Sequence, residues 1–213
     1  ATDEDYRTLM TAHAVLAEHQ PLPHIDGPYL AWGDLIAEPA TGLHRPWTLQ
    51  GELHHDGDCF EINPVTWYTL ATYGVTVRGP RPERIGISLD VEARIRWVVG
   101  NLQGYWREVA NAVAAACAAE VPREWTADAL AWCALGPLRL HYTAFTGDVT
   151  SKRGAGEYGA TVAPPEFHAV VQAALQARAM NSHAAVDNDA MAATAALMAW
   201  CIDDVSTAAS PRR

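Results

Sequence analysis

A single lysine, Lys152, stands beside Arg153 in the stretch TGDVTSKRGAGEYG, whereas the other fourteen Lys or Arg positions of the chain are all arginine. Gly147 is a typical helix stop and Ser151 a typical N-cap, which places both cations in the first turn of a helix. Cations are disfavoured there because the helix dipole is positive and the backbone N–H groups lack partners. An anion would reverse that balance, so the stretch indicates a phosphate site, with a solvated basic turn as the alternative.

Arg139 is the second candidate for this site. It lies in the otherwise apolar stretch LGPLRLHY, where a guanidinium needs a partner or a cleft. It precedes the helix stop at Gly147 by about two turns, so a chain reversal would bring it within reach of Lys152. Gly154 and Gly156 would let phosphates or another domain approach closely, at a cost of about 1 kcal/mol of helix propensity each.

The second half of the chain is predicted to be a five-helix bundle over residues 91–213. Apolar residues at helical spacing predict a first helix after Asp90, and a second is expected from the Thr126 cap to Gly147 with a kink at Pro137. Three more helices follow, a short one from Ser151, one over residues 164–180 and one over residues 187–206.

Residues 1–90 are predicted to form a small mixed part, which makes the fold class α+β. A helix is expected over residues 3–19, and a second has Asn63 as its cap, Pro64 in its first position and Gly74 as its stop. Extended segments are expected over residues 27–32 and 48–54, and VTVRGP, from Val75, predicts a brief strand.

The net charge of −10 is concentrated in this first part, which has thirteen acidic residues and five arginines. A nucleic-acid surface needs the opposite sign, so we expect no nucleic-acid partner. The acidic region favours a small cationic partner, unless the charge only maintains solubility. No membrane-spanning run occurs, and four scattered cysteines suit reduced thiols, so we expect a cytoplasmic protein. We also expect a monomer.

Two tryptophans of the acidic, Gly/Pro-rich region, Trp32 and Trp47, are candidates for stacking on a sugar ring. The alternative is that they belong to the core. The run His54-His55-Asp56 lacks a second group at zinc-ligand spacing, so a polar loop is the favoured interpretation. A serine hydrolase is disfavoured because the chain contains no GxSxG elbow.

The segment WCALGPLRLHYTAFTGDVTSKRGAGEYGA resembles the C-terminal helical domain of the aminoglycoside (3'')(9) adenylyltransferases, the streptomycin and spectinomycin resistance enzymes. INPVTWYTLATYGVTVRGP is similar to the linker between the two domains of that family, and LPHIDGPYLAWGDL to the strand that carries its catalytic carboxylate. The resemblance spans most of residues 20–180 and is most specific between Arg139 and Lys152.

This resemblance implies a nucleotidyltransferase-like α/β segment over residues 1–90, a helical domain over residues 91–213, and an active site in the cleft between them. It implies that Arg139 and Lys152 bind the phosphates of ATP and that Asp26 is the general base. It also implies that Asp128 meets a cationic aminoglycoside. The cofactors implied are ATP and Mg²⁺.

The family pattern is incomplete in one respect, since the Gly-Ser turn and the Asp-x-Asp pair that holds two Mg²⁺ ions are not found before Asp26. The sequence therefore leaves the metal ligands unidentified. Asp56 and Asp58 superficially resemble the pair but follow the base strand, which favours a polar turn. Two explanations are expected: the chain is the latter part of a longer enzyme, or it is a shortened relative that has lost catalysis.

The function that the sequence predicts is transfer of AMP from ATP to an antibiotic hydroxyl. The alternative is a catalytically inactive truncated homologue that binds a cationic small molecule through the acidic region and the two tryptophans. A third, weaker possibility is a helical interaction module without a small ligand.

Overall fold

The computed structural model describes residues 3–19, 22–39, 43–55, 57–119 and 124–209. The described chain is mostly helical, with a few short strands in two small sheets. It divides into two compact units, Ala1–Arg94 and Ile95–Arg213, and the division falls inside helix α5, Val91–Asn101. The α+β class is confirmed at this level, whereas a nucleotidyltransferase-like segment is not confirmed.

The first unit combines one long helix with short helices and strands, and it contains a buried indole. Its helices are α1 Asp3–His19, α2 Trp32–Leu35, α3 Pro64–Tyr73 and α4 Pro82–Ile85, and its strands are β1 Gly27–Pro28, β2 Trp47–Leu49 and β3 Glu52–His54. The strands form one antiparallel sheet in the order β1-β2-β3. Trp67 on α3 is 1% exposed, and its indole N–H donates to the Ala37 carbonyl at 3.1 Å.

Helix α3 confirms the prediction made from its caps. The Asn63 side chain accepts hydrogen bonds from the backbone N–H groups of Val65 and Thr66, Pro64 occupies the first helical position, and Gly74 ends the helix. Each signal acts within a few residues of the helix end, which is why the sequence alone was sufficient.

The predicted strands of this unit were largely wrong. The segment expected to be extended from Thr48 to His54 is two antiparallel strands joined by Gln50 and Gly51, whose φ angles of 52° and 80° are those of a tight two-residue hairpin. The strand expected from Gly27 to Trp32 ends at Pro28. The strand expected from Val75 does not form, and Val75 is 88% exposed because no strand lies beside it in the described part of the chain.

The second unit is a helical bundle centred on α7, Ala127–Thr146. A π-helical turn at Leu102–Trp106 connects α5 to α6, Arg107–Cys117. Helix α7 is followed by α8 Lys152–Val162, a 3₁₀ turn at Pro165–Phe167, α9 His168–Met180 and α10 Asn188–Ala209. Strands β4, Trp125–Thr126, and β5, Ala185–Val186, form an antiparallel pair. Helix α7 packs against α8, α9 and α10.

The ends of α7 lie where the sequence predicts them. The Thr126 hydroxyl accepts a hydrogen bond from the Ala129 N–H at 3.2 Å, and Gly147 ends the helix with a φ of 72°. The helix continues through Pro137 as one element. No helix in the described ranges combines the length and apolar character needed to cross a membrane.

Candidate anion-binding site

The first turn of α8 carries the two cations that the sequence singles out, and their surroundings differ. The Ser151 hydroxyl accepts a hydrogen bond from the Gly154 N–H at 3.0 Å, as an N-cap does. Arg153 is exposed and pairs with Glu157 of the same helix at 2.7 Å. Lys152 is half-buried and has no hydrogen bond or ion pair within the described residues. The cation available to a ligand at this turn is therefore Lys152.

Arg139 reaches the same place through the loop between α7 and α8. Its Nε donates a hydrogen bond to the Thr150 carbonyl at 3.0 Å, so the loop returns along α7 after the stop at Gly147. Burial lowers the pKa of Arg139 although part of its side chain stays exposed to solvent. The Nη1 and Nη2 atoms have no partner in the described part of the chain. The structure thus brings Arg139 and Lys152 together with the outer edge of the guanidinium still available.

The electrostatics of Lys152 identify two further groups at this position. Its pKa is lowered, first by burial, then by the positive charge of Arg178, and to a smaller extent by that of Arg139. The carboxylate of Asp128 acts in the opposite direction. Asp128 lies in the first turn of α7 and Arg178 in the last turn of α9. Two arginines and one carboxylate therefore lie close enough to Lys152 to influence its charge.

Arg178 is not among the site residues that the sequence predicts. A cation in the last turn of a helix is usually explained by the helix dipole, so its position attracts no attention. A signal was nevertheless present, because Arg178 is the sole lysine or arginine between Arg153 and Arg212.

The glycines of α8 have a different role from the one expected. A Cβ atom on Gly156 would lie 2.5 Å from Leu175 Cδ2 and 3.1 Å from Leu135 Cδ2. The space beside Gly156 is thus filled by α9 and α7, and the expectation that it admits a phosphate or another domain is wrong. The corresponding space beside Gly154 is occupied by the Thr150 hydroxyl.

Asp26, the predicted base, lies in the first unit, directly before β1. It is exposed, and its Oδ1 accepts a hydrogen bond from the Gly51 N–H at 3.1 Å. Glu61 is its neighbour, since burial and, secondarily, the charge of Asp26 raise the pKa of Glu61. The structure therefore pairs two carboxylates at this position, one exposed and one half-buried.

The carboxylates considered as metal ligands do not form a set. Asp56 lies outside the described residues, and Asp58 is exposed beside His44 at 4.0 Å. The described ranges contain no group of three or more His, Cys, Asp or Glu side chains arranged to hold a metal ion.

The two tryptophans proposed for sugar stacking differ in their surroundings. Trp47 stacks on His54 with ring centroids 4.2 Å apart and meets the edge of Phe60 at 6.2 Å, so one of its faces is already covered. Trp32 is 59% exposed and lies against Gly79. Trp32 is therefore the more accessible aromatic surface of the pair.

A buried polar network in the second unit was also missed. His141 is 2% exposed, and its ring lies 3.0 Å from both the Tyr158 hydroxyl and the Asp204 carboxylate. Because a carboxylate only accepts, Nε2 carries the proton and Nδ1 accepts from Tyr158. Burial lowers the pKa of His141, and Asp204 partly opposes that shift. The network joins α7, α8 and α10.

No protein-family model, curated protein or solved structure matches this chain. The geometry of the site and the sequence motifs are therefore the observations that bear on function.

Proposed function

We propose that this protein is an aminoglycoside O-nucleotidyltransferase-like protein that transfers AMP from ATP to an antibiotic hydroxyl. The observation that supports the proposal most directly is the convergence of Arg139 and Lys152 at the capped first turn of α8. These two residues also bound the segment in which the resemblance to the aminoglycoside adenylyltransferases is most specific.

The surroundings of the two cations suit the phosphates of ATP. Lys152 is half-buried without a hydrogen-bonded anion within the described residues, and a buried charge is costly unless it is paired. Phosphate oxygens would supply that pairing to the ammonium of Lys152 and to the free edge of the Arg139 guanidinium. ATP binding would therefore lower the free energy of a site that is unfavourable by itself.

The structure supports a site for Mg²⁺ less well than it supports a site for the phosphates of ATP. The described residues contain no set of three candidate ligands, and the pair formed by Asp26 and Glu61 is smaller than the oxygen set that Mg²⁺ prefers. The proposal assigns no step to the metal.

The other proposed roles are those of the general base and of the residues that contact the antibiotic. Asp26 accepts the proton of the antibiotic hydroxyl as its oxygen attacks the α-phosphate, and the Gly51 N–H holds one carboxylate oxygen in place. Asp128, in the second unit, would pair with an ammonium group of the substrate, and Trp32 would stack on a sugar ring.

Calorimetry with ATP tests the proposal through Lys152→Ala. We expect this variant to bind ATP at least tenfold more weakly, while its free energy of unfolding changes by no more than about 0.5 kcal/mol. Arg153→Ala is the matched control, because it removes a cation from the same helical turn whose charge is already paired with Glu157. Equal ATP affinity in both variants and the parent protein would refute the phosphate role.

Adenylyl transfer to streptomycin separates the enzyme from a second candidate, a protein that binds a cationic small molecule without reaction. The exposed indole of Trp32 supports that second candidate. Under the enzyme hypothesis, Asp26→Asn loses AMP transfer and retains ATP binding. Streptomycin binding that depends on Trp32, without AMP transfer by the parent protein, would favour the binding protein instead.

A further inference from the structure

The packing of α8 against α9 explains why a third cation lies near Lys152. Leu175 of α9 fills the space beside Gly156 of α8. Lys152 lies one turn before Gly156, and Arg178 lies one turn after Leu175, each on the same face as its neighbour. The short connection between the helices, residues 163–167, returns the chain so that the end of α9 meets the start of α8.

Positive charge exceeds negative charge around Lys152. Arg178 and Arg139 both act on the charge of Lys152, and Asp128 is the carboxylate that opposes them there. Arg178 is exposed, and the structure gives it no ion pair within the described residues. Repulsion between like charges at short range raises the free energy of the folded protein. A multiply charged anion would remove that repulsion and would gain more from three cations than from two.

We propose that Arg178 is a third binding residue of this site and that Arg139, Lys152 and Arg178 together hold the pyrophosphate group of a nucleoside triphosphate. This inference rests on the proposed function. In nucleotidyl transfer the hydroxyl oxygen forms a bond to the α-phosphorus, and its proton passes to the base. The bond from the α-phosphorus to the oxygen bridging to the β-phosphate breaks, and pyrophosphate leaves with the electron pair. Three cations would stabilise the charge that develops on this leaving group.

The arrangement of the three cations also predicts which phosphate ligand binds more tightly. A single phosphate presents one phosphorus centre to three cations that come from three different helices, whereas pyrophosphate presents two linked centres with more negative charge. Coulomb attraction therefore favours pyrophosphate over orthophosphate. We expect the full-length chain to bind inorganic pyrophosphate at least tenfold more tightly than orthophosphate, with an affinity that falls as salt is added.

The test compares Arg178→Ala with Lys152→Ala and with the control Arg153→Ala, using inorganic pyrophosphate as the probe. Calorimetry should show an affinity at least tenfold lower for Arg178→Ala and an unchanged affinity for the control. Without ligand, Arg178→Ala should unfold at the same temperature as the parent protein or at a higher one, because a repulsive charge has been removed. Arg178→Lys, which keeps the charge, should recover part of the lost affinity.

Failure of this inference and failure of the proposed function give different results. If Lys152→Ala weakens binding of ATP and pyrophosphate while Arg178→Ala does not, Arg178 has no role and the proposed function stands. If neither ATP nor pyrophosphate binds the parent protein, both proposals are overturned. If Arg178→Ala and Arg178→Gln both unfold at a lower temperature than the parent protein without ligand, Arg178 is a structural residue and the inference is wrong.

Discussion

At the scale of single residues, the second unit contains one lysine and one histidine whose charged forms are disfavoured by their surroundings. Lys152 is half-buried near two arginines, and His141 is enclosed by Tyr158 and Asp204. The pKa of each is lowered, with burial as the largest cause. The first case suits an anion site, whereas the second makes the stability of the bundle depend on pH.

The lowered pKa of His141 predicts that the protein loses stability in mild acid. In the unfolded chain a histidine has a pKa of about 6.5, and the folded pKa of His141 lies below that value. The unfolded state therefore binds a proton first as the pH falls, and the free energy of unfolding decreases from about pH 6.5 downwards until the folded pKa is passed.

Urea unfolding between pH 7.5 and pH 5 checks this prediction. His141→Gln should be less stable than the parent protein at pH 7.5, and the difference should shrink as the pH falls. His19→Gln, which removes an exposed histidine on α1, serves as the control. A constant difference across this pH range would show that His141 does not titrate with a lowered pKa.

At the scale of the elements, the approach of α8 to its neighbours depends on a glycine whose missing side chain makes room for two leucines. Gly156 has Leu175 on one side and Leu135 on the other. The same contact brings Arg178 of α9 towards Lys152 of α8. The geometry of the anion site is therefore set by packing between apolar side chains, and a change in that packing should affect both stability and binding.

Gly156→Ala is expected to destabilise the protein by about 1–3 kcal/mol, because the new methyl group would overlap Leu175 in a filled space. Gly100→Ala, in α5, provides the matched comparison. A Cβ atom at Gly100 meets nothing within 4 Å, so this variant should be neutral or gain up to about 1 kcal/mol from helix propensity. Denaturant unfolding measures both values. Equal stability of the two variants would contradict the packing argument.

At the scale of the whole molecule, the chain consists of two units, and the candidate residues are divided between them. Asp26, Trp32 and Trp47 belong to Ala1–Arg94, whereas Asp128, Arg139, Lys152 and Arg178 belong to Ile95–Arg213. The phosphate-binding part of the proposed function is thus contained in the second unit.

A chain consisting of residues 91–213 should therefore remain helical, unfold cooperatively and bind inorganic pyrophosphate with an affinity similar to that of the full chain. The reason is that the buried leucines of the helical bundle and the three cations of the site all lie within it. Circular dichroism and calorimetry test the two properties separately. A folded fragment that has lost pyrophosphate binding would show that the first unit contributes to the site.

The amino-acid sequence by itself determined the longer helices and several of their ends. Asn63, Thr126 and Ser151 were recognised as caps and Gly147 as a stop, because capping involves groups only a few residues apart. It also indicated that Arg139 could reach Lys152, since a chain reversal at Gly147 is itself a local event.

Only the tertiary structure decided the remaining contacts. The two-residue hairpin at Gln50 and Gly51, the place of Arg178 beside Lys152 and the enclosure of His141 by Asp204 each join groups through strand pairing or helix packing. Contacts of this kind depend on how apolar faces fit together in three dimensions, and periodicity along a single chain does not encode which faces will meet.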